Sequence, residues 1–382
     1  MTPACWTLLI SGLAIFHTAA GYPLSLAFRR GRTRPPVAKD PGFTTTVTVL
    51  MAVYNGASMI ARKLDVLLGL DYPAGLLDVI VVSDGSTDET DAIVRSYEGR
   101  GVRLVAAPRG GKAAALNHGL PHATGEILFF TDVRQPMDPM CLRHLVANFA
   151  DPTVGAVTGE MKLVRGELGE QADMDLYWRY EVWARKRHSE IDSLFNTTGC
   201  IYAMRRTLAR PLPPDTLIDD AILPLRAFFG GHRIILDTEA VAYDYPAVSG
   251  TEFRRRFRTL AGLWQVHARL PELFTSRNRM RFHFLSHKFA RLMLPWAILV
   301  FLISTALLPG SWFRTLLLGG EAAWLLLALA SPIVPAGSPL KRLTSPARTL
   351  LVMNVAALAA VAVFFVPATR LWTQTRVQTP KA

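Results

Sequence analysis

Cysteine is scarce in this chain, three among 382 residues. Cys5, Cys141 and Cys200 are too widely spaced for a CxxC pair or a staple framework, which indicates ordinary buried thiols in a reduced setting. Heptads, short-period repeats and low-complexity tracts are also missing, so coiled-coil, solenoid and linker-dominated architectures are excluded. Acidic residues are outnumbered, 30 against 42 Lys and Arg, for a net charge of +12. Such a balance suits nucleic acid, an anionic membrane surface or a phosphorylated ligand. Positive charge is lacking ahead of the first apolar run, where Met1 to Ala4 carries none. A secretory signal would begin with it, so a retained anchor is expected, with cleavage after Ala20 as the alternative.

Apolar residues are abundant, half of the chain, and they gather at its two ends. Cys5 to Phe28 is long enough to cross a hydrocarbon layer of ~30 Å, and Leu292 to Leu308, Leu316 to Val334 and Leu350 to Val366 approach that length. Basic segments flank them: Arg29 to Arg34, Ser276 to Arg291, and Leu340 to Arg348 read as a loop. Basic flanks stay on the inner side. The expected organisation is an anchor over 1–28, a cytoplasmic domain over 29–288, membrane helices over 289–369 and a basic tail over 370–382 with Arg370, Arg376 and Lys381. Glu321 is placed near a membrane interface. A bacterial inner membrane protein with membrane lipid as a partner accounts for the charge, so no nucleic-acid partner is expected.

Between the ends, β-branched runs alternate with helical spacing. Val47 to Val53 and Asp78 to Asp84 read as strands around a helix over Ala57 to Leu70, and Val102 to Pro108 and Glu126 to Asp132 supply two more strands around Lys112 to Leu120. This predicts an α/β domain with a mainly parallel, Rossmann-like sheet. Ligands bind such sheets beyond the carboxyl ends of the strands. Those ends are all polar: Tyr54-Asn55-Gly56, Ser83-Asp84-Gly85-Ser86 and Thr131-Asp132. Any one of them could be a turn or helix cap; three converging on one edge point to a site. Lys112, after Gly110 and Gly111 at a helix start, can meet an anionic diphosphate.

Taken in order, MAVYNGASMI, VIVVSDGSTDET, GGKAAALNHGL, GEILFFTD, TTGCIYAMRR, LIDDAILPLR and FRRRFRTLAGLWQ resemble the motifs of family 2 glycosyltransferases. The resemblance runs from Val47 to Gln265 and is closest to the membrane-embedded branch of cellulose and hyaluronan synthases. It implies a GT-A fold with one N-terminal and about three C-terminal membrane helices. It also implies a UDP-sugar donor, inversion at the anomeric carbon, and a growing polysaccharide or cell-envelope glycan as acceptor. The alternatives are transfer of a single sugar to a lipid or lipid carrier, and a catalytically degenerate assembly subunit; export or assembly subunits are possible partners.

Carried over position by position, Asp84 matches the nucleoside contact, Tyr54 and Asn55 the base and ribose pocket, and Lys112 and Asn117 the segment that closes over the nucleotide. Asp220 matches the general base, with Asp219 in place of the neighbouring glutamate. Arg256 and Arg258 match the two arginines of the Gln-Arg-x-Arg-Trp motif, with Arg255 in place of the glutamine and Thr259 in place of the tryptophan; all three arginines are candidate diphosphate contacts. Gly199 and Cys200 fall at the acceptor-side floor, and Tyr177, Trp178, Tyr180 and Trp183 are candidates for an aromatic acceptor surface. Asp132 is the expected ligand of a divalent cation, Mg or Mn. Its usual acidic neighbour two positions on is Arg134, which could pair with Asp132, contact the donor or point away.

Overall fold

The computed structural model describes residues 2–28, 34–165, 170–171, 176–245, 252–335 and 337–371. The tail residues Arg376 and Lys381 lie outside them. Two helical pieces, α1 (Pro3–Phe16) and α2 (Tyr22–Phe28), are joined by a π-helical turn, His17–Gly21.

The α/β domain then opens with three crossovers: β1 (Val47–Val53), α3 (Ala57–Leu68), β2 (Leu77–Asp84), α4 (Thr90–Arg95), β3 (Val102–Ala107), α5 (Lys112–Gly119) and β4 (Ile127–Phe130). Helix α6 (Cys141–Ala147) leads to β5 (Val154–Arg165) and the short β6 (Glu170–Gln171). Helix α7 (Leu176–Ile191), β7 (Tyr202–Arg205), α8 (Asp219–Phe229), β8 (Arg233–Asp244) and α9 (Glu252–Arg269) complete the domain.

The strands lie in the order β3-β2-β1-β4-β7-β5-β6, with β8 paired to β5. The first four are mutually parallel, whereas β7 runs antiparallel to both β4 and β5. The sequence pattern predicted the first four strands to within a residue or two at each end, and the expected mainly parallel α/β sheet is present. Runs such as Val47–Val53 are continuous rather than alternating because both faces of the sheet are covered. One face packs on α5 and α8 with Leu50, Ile80, Val82, Leu128 and Phe130. The other packs on α3 and α6 with Val49, Met51, Val81 and Phe129.

Among the described residues, four helices are long and apolar enough to cross a membrane: Pro3–Phe28, Arg281–Ala306, Trp312–Ala330 and Lys341–Phe364. Their count and placement agree with the sequence reading, but all four start earlier, the second and fourth by 11 and 9 residues. The segment read as a basic loop, Leu340 to Arg348, is mostly the first turns of a helix, Lys341–Ala359. Lys341 turns its ammonium back onto the carbonyls of Ser331 and Val334, at 2.6 and 3.1 Å. Likewise Arg281–His283 and a π-helical turn, Phe284–Phe289, run directly into Ala290–Ala306. Helix continues past the apolar window because lysine and arginine are good helix formers. Glu321 falls in mid-helix within Trp312–Ala330 rather than at an end.

The turn after β2 is set by one glycine. Gly85 has φ +66°, and a Cβ there would sit 2.8 Å from the backbone nitrogen of Arg109, so the β2 and β3 loops meet only because the side chain is missing. Gly85→Ala should cost on the order of 1–3 kcal/mol. It should lower the thermal unfolding midpoint and weaken nucleotide binding together, as read by differential scanning fluorimetry with and without nucleotide.

Candidate active site

Everything chemically active lies beyond the carboxyl ends of β1, β2 and β4 and against the start of α8. The β1 end is laced to the β2 loop. Asn55 adopts a left-handed backbone, φ 48°, which asparagine tolerates better than most residues. Its side-chain oxygen accepts from the Thr87 nitrogen at 2.8 Å, while the Gly56 and Ala57 nitrogens donate to Thr90 and Asp88 at 2.8 and 3.1 Å.

Asp84, 2% exposed, has its carboxylate turned inward. It accepts from the nitrogens of Gly110 (2.7 Å) and Gly111 (3.0 Å) and pairs with Arg109. The guanidinium of Arg109 in turn lies over the Tyr54 ring, 3.8 Å from its centroid. The surface left open at this corner is therefore a flat stack of guanidinium on phenol, suited to a planar ring. Sequence reasoning missed Arg109, although it stands next to the Gly-Gly-Lys that was noticed. Asn117 is remote from this corner: both ends of its amide are used on the backbone of Leu212, each at 2.7 Å.

Lys112, the first residue of α5, joins the strand end to α8. Its ammonium is 2.9 Å from Asp132 Oδ1 and 3.2 Å from Asp219 Oδ1. Burial opposes that charge, but the two carboxylates outweigh it and keep the amine protonated above its ordinary range. Asp132 is desolvated too, and Lys112 more than compensates, drawing its pKa down. Asp220 differs. Burial first, and then the charge of Asp219, push it up to about 7 despite Lys112. Both acids occupy the first turn of α8, where the helix dipole favours them.

The Asp220 backbone is held by Thr197, whose nitrogen and hydroxyl donate to its carbonyl at 2.8 and 2.9 Å. Gly199 comes so close that a Cβ would stand 3.3 Å from Asp220 Oδ2. Helix α9 is docked against the residues preceding α8 through Gln265, bonded to Leu217 and Asp215 at 3.0 Å each. That docking brings Arg258 into the field of Asp132 and Asp220; burial lowers its pKa and those acids oppose the shift. Arg255 is near enough to Arg258 to repel it, while Arg256 falls about 100° further round the helix.

Arg134 points away from Asp132 and pairs at 2.7 Å with Asp244, a 2%-exposed carboxylate at the end of β8 that also accepts from Gln135 at 3.0 Å. Beneath this corner the buried Lys63 donates to the Thr131 hydroxyl (2.8 Å) and the Gln135 carbonyl (2.7 Å), so the strand end is clamped from both sides. Tyr180 and Trp183 pack against the core rather than forming a free aromatic surface, because the helix stripe they occupy faces the domain. The side chains of Tyr177 and Trp178 lie outside the described residues.

No group of three or more His, Cys, Asp or Glu side chains is placed to hold a metal ion among the described residues. Asp132, with 38% of its side chain exposed, fits a cation as the single protein carboxylate, the remaining ligands coming from phosphate and water.

The mixed, mostly parallel sheet is of the GT-A type. Residues 48–212 match the family described as Glycosyl transferase family 2, and this domain belongs to that family. The chain is 26% identical over 276 residues to a beta-monoglucosyldiacylglycerol synthase of Nostoc sp., covering 69% of this chain and 56% of that protein. It is 24% identical over 244 residues to a poly-beta-1,6-N-acetyl-D-glucosamine synthase of Staphylococcus aureus, covering 62% and 58%. The chain thus spans a little over half the length of these curated relatives. Among solved structures, the mannosyltransferase PcManGT from Pyrobaculum calidifontis, in complex with GDP-Man and Mn2+, aligns with a TM-score of 0.73 at 26% identity. The alignment covers 94% of this chain and 98% of that one.

Arg134→Asp would restore the acidic pair of the motif but remove the partner of buried Asp244, a loss on the order of 3 kcal/mol. The expected outcome is a lowered unfolding midpoint with no gain in Mn2+ affinity, measured by thermal unfolding and metal titration. Asp244→Asn in the same background should recover part of the stability.

Proposed function

We propose that the chain transfers a sugar, with inversion, from a nucleoside diphosphate sugar to a hydroxyl held at the membrane. The observation that carries this reading is the convergence of Lys112, Asp132, Asp219 and Asp220 beside the Tyr54–Arg109 stack at one sheet edge. Asp220 takes the acceptor proton as the hydroxyl oxygen bonds to the anomeric carbon. The bond from that carbon to the diphosphate oxygen breaks, and the nucleoside diphosphate leaves with the electron pair.

A carboxylate raised to about 7 is a stronger base than an ordinary aspartate and is still ionised above neutrality. Lys112 and Arg258 face the acids that border the leaving group and can turn to its oxygens. A divalent cation held by Asp132 and the phosphates would neutralise further leaving-group charge. PcManGT was solved with Mn2+, which supports that role. The planar corner takes the base: Arg109 and Tyr54 stack on it, Asp84 and Asn55 hold that shelf in shape, and Asn117 braces α5 from behind. UDP-sugars are the leading donors, and GDP-sugars are the second arm because PcManGT was solved with GDP-Man.

The four apolar helices support an integral membrane protein with its catalytic domain on the inner side. The acceptor is either a growing glycan, as the name of the S. aureus relative suggests, or a lipid, as that of the Nostoc relative suggests. Thr259, exposed where the polymer-making branch has tryptophan, favours single-sugar transfer, since no aromatic ring stands there to stack a polymer. A screen of UDP- and GDP-sugars on purified protein in vesicles, with Mg2+, Mn2+ or chelator, tests the reading. The product decides the acceptor: a ladder of lengths means polymer, a single lipid-soluble band means lipid. Release of no nucleotide from any donor overturns it.

Asp220→Asn should cut transfer by roughly 10²–10⁴-fold while the donor dissociation constant stays within about twofold, measured by turnover and calorimetry on the same preparation. In the unsubstituted protein, transfer should rise with pH and reach half its plateau near pH 7, because the base works only when deprotonated. A plateau already reached at pH 5 counts against Asp220 as the base.

A further inference from the structure

One cation next to Asp220 has no role in the chemistry above. Arg185 lies on α7, one helical turn after Glu181. Its nearest opposite charges are Glu181, Asp220 and Glu160, with Cys200 close by. Its Nη2 is shut off from solvent and has no hydrogen-bond partner among the described residues. Buried guanidinium nitrogens are ordinarily satisfied.

The carboxylate best placed to satisfy it is already engaged. Glu181 Oε1 accepts from Lys288 at 2.7 Å, and Oε2 accepts from Arg291 at 2.7 Å and lies 3.4 Å from His287. Glu160 is drawn toward Lys186, at 3.7 Å. Three cations, Arg185, Lys288 and Arg291, thus share one carboxylate between Asp220 and the first C-terminal apolar helix.

We propose that Arg185 binds a phosphate carried by the acceptor, a lipid headgroup whose free hydroxyl lies a few bonds from that phosphate and reaches Asp220. The proposal rests on the transferase reading above and names the acceptor's chemistry. Arginine's planar fork matches phosphate oxygens in pairs. Lys288 and Arg291 belong to a helix long and apolar enough to cross a membrane, which puts the phosphate at headgroup depth. Two headgroup types share this chemistry: a phosphodiester with a glycerol hydroxyl, and a diphosphate-linked sugar on a long-chain lipid.

The test uses the full chain in vesicles with radiolabelled donor. Charged acceptors are phosphatidylglycerol and a polyprenyl diphosphate sugar; neutral controls are diacylglycerol and glucosyldiacylglycerol. Nucleotide release without acceptor is measured alongside. The expected result is a preference for a charged acceptor in kcat/KM, which Arg185→Ala reduces by roughly 10- to 100-fold and Arg185→Lys partly restores. Nucleotide release and transfer to the neutral controls should stay within about twofold. Whichever charged acceptor responds identifies the headgroup.

Equal losses on charged and neutral acceptors, or a shift of the pH profile as the sole effect, overturn the proposal by showing that Arg185 acts through Asp220. Nucleotide release without any preference for charge also overturns it and leaves the transferase reading intact. No release by the unsubstituted protein overturns both.

Discussion

The ammonium of Lys112 is the contact on which the site depends. It touches Asp132 from the end of β4 and Asp219 from the start of α8, two elements nearly ninety residues apart in the chain. Without a cation between them, two carboxylates in this partly desolvated cleft would repel. With it, the strand end and the helix start are held together, and the next acid along, Asp220, is pushed up to about 7 by burial and by the charge of Asp219. Of the two acids in the first turn of α8, Asp219 pairs with Lys112 and Asp220 is the one raised.

The alternation of sign continues outward. From the β4 end toward the C-terminal apolar helices the order runs Asp132, Lys112, Asp219 and Asp220, Arg185, Glu181, and then Lys288 with Arg291. Each charge lies in the field of its opposite, which is how so many ionisable groups remain in a partly desolvated cleft. Arg134 and Asp244 form a separate pair beside this series, so the arginine that interrupts the acidic motif is bonded to the end of β8 while its charge still helps to hold Asp132 ionised.

What could be read from the sequence follows from what is local. Strands β1 to β4 are continuous apolar runs with polar ends, and the Asp219–Phe229 helix begins with two acids; both patterns are written in adjacent residues. The pairing of Arg109 with Asp84, of Asn117 with the Leu212 backbone and of Arg134 with Asp244 joins positions 25 to 110 residues apart, and no spacing rule announces such contacts. Family resemblance assigned Asp84 and Asn55 to a nucleotide pocket, and it gave no sign that their side chains face the loops that they brace. The helical start at Lys341 was read as a loop because hydropathy marks where a helix meets lipid, not where it begins.

The first apolar helix is fixed at two places. Thr7 and Gly12 meet Ser304 and Phe301, with the Thr7 and Ser304 hydroxyls 2.7 Å apart. Further along, the Tyr22 hydroxyl meets His188 at 2.5 Å and His283 at 3.1 Å. The π-helical turn His17–Gly21 lies between them and accommodates an extra residue within the winding, so both sets of side chains face inward at once. That turn acts as a phase corrector. Deleting one residue from it would rotate one contact by about 100° relative to the other, so the winding of this helix sets the angle at which it meets the α/β domain.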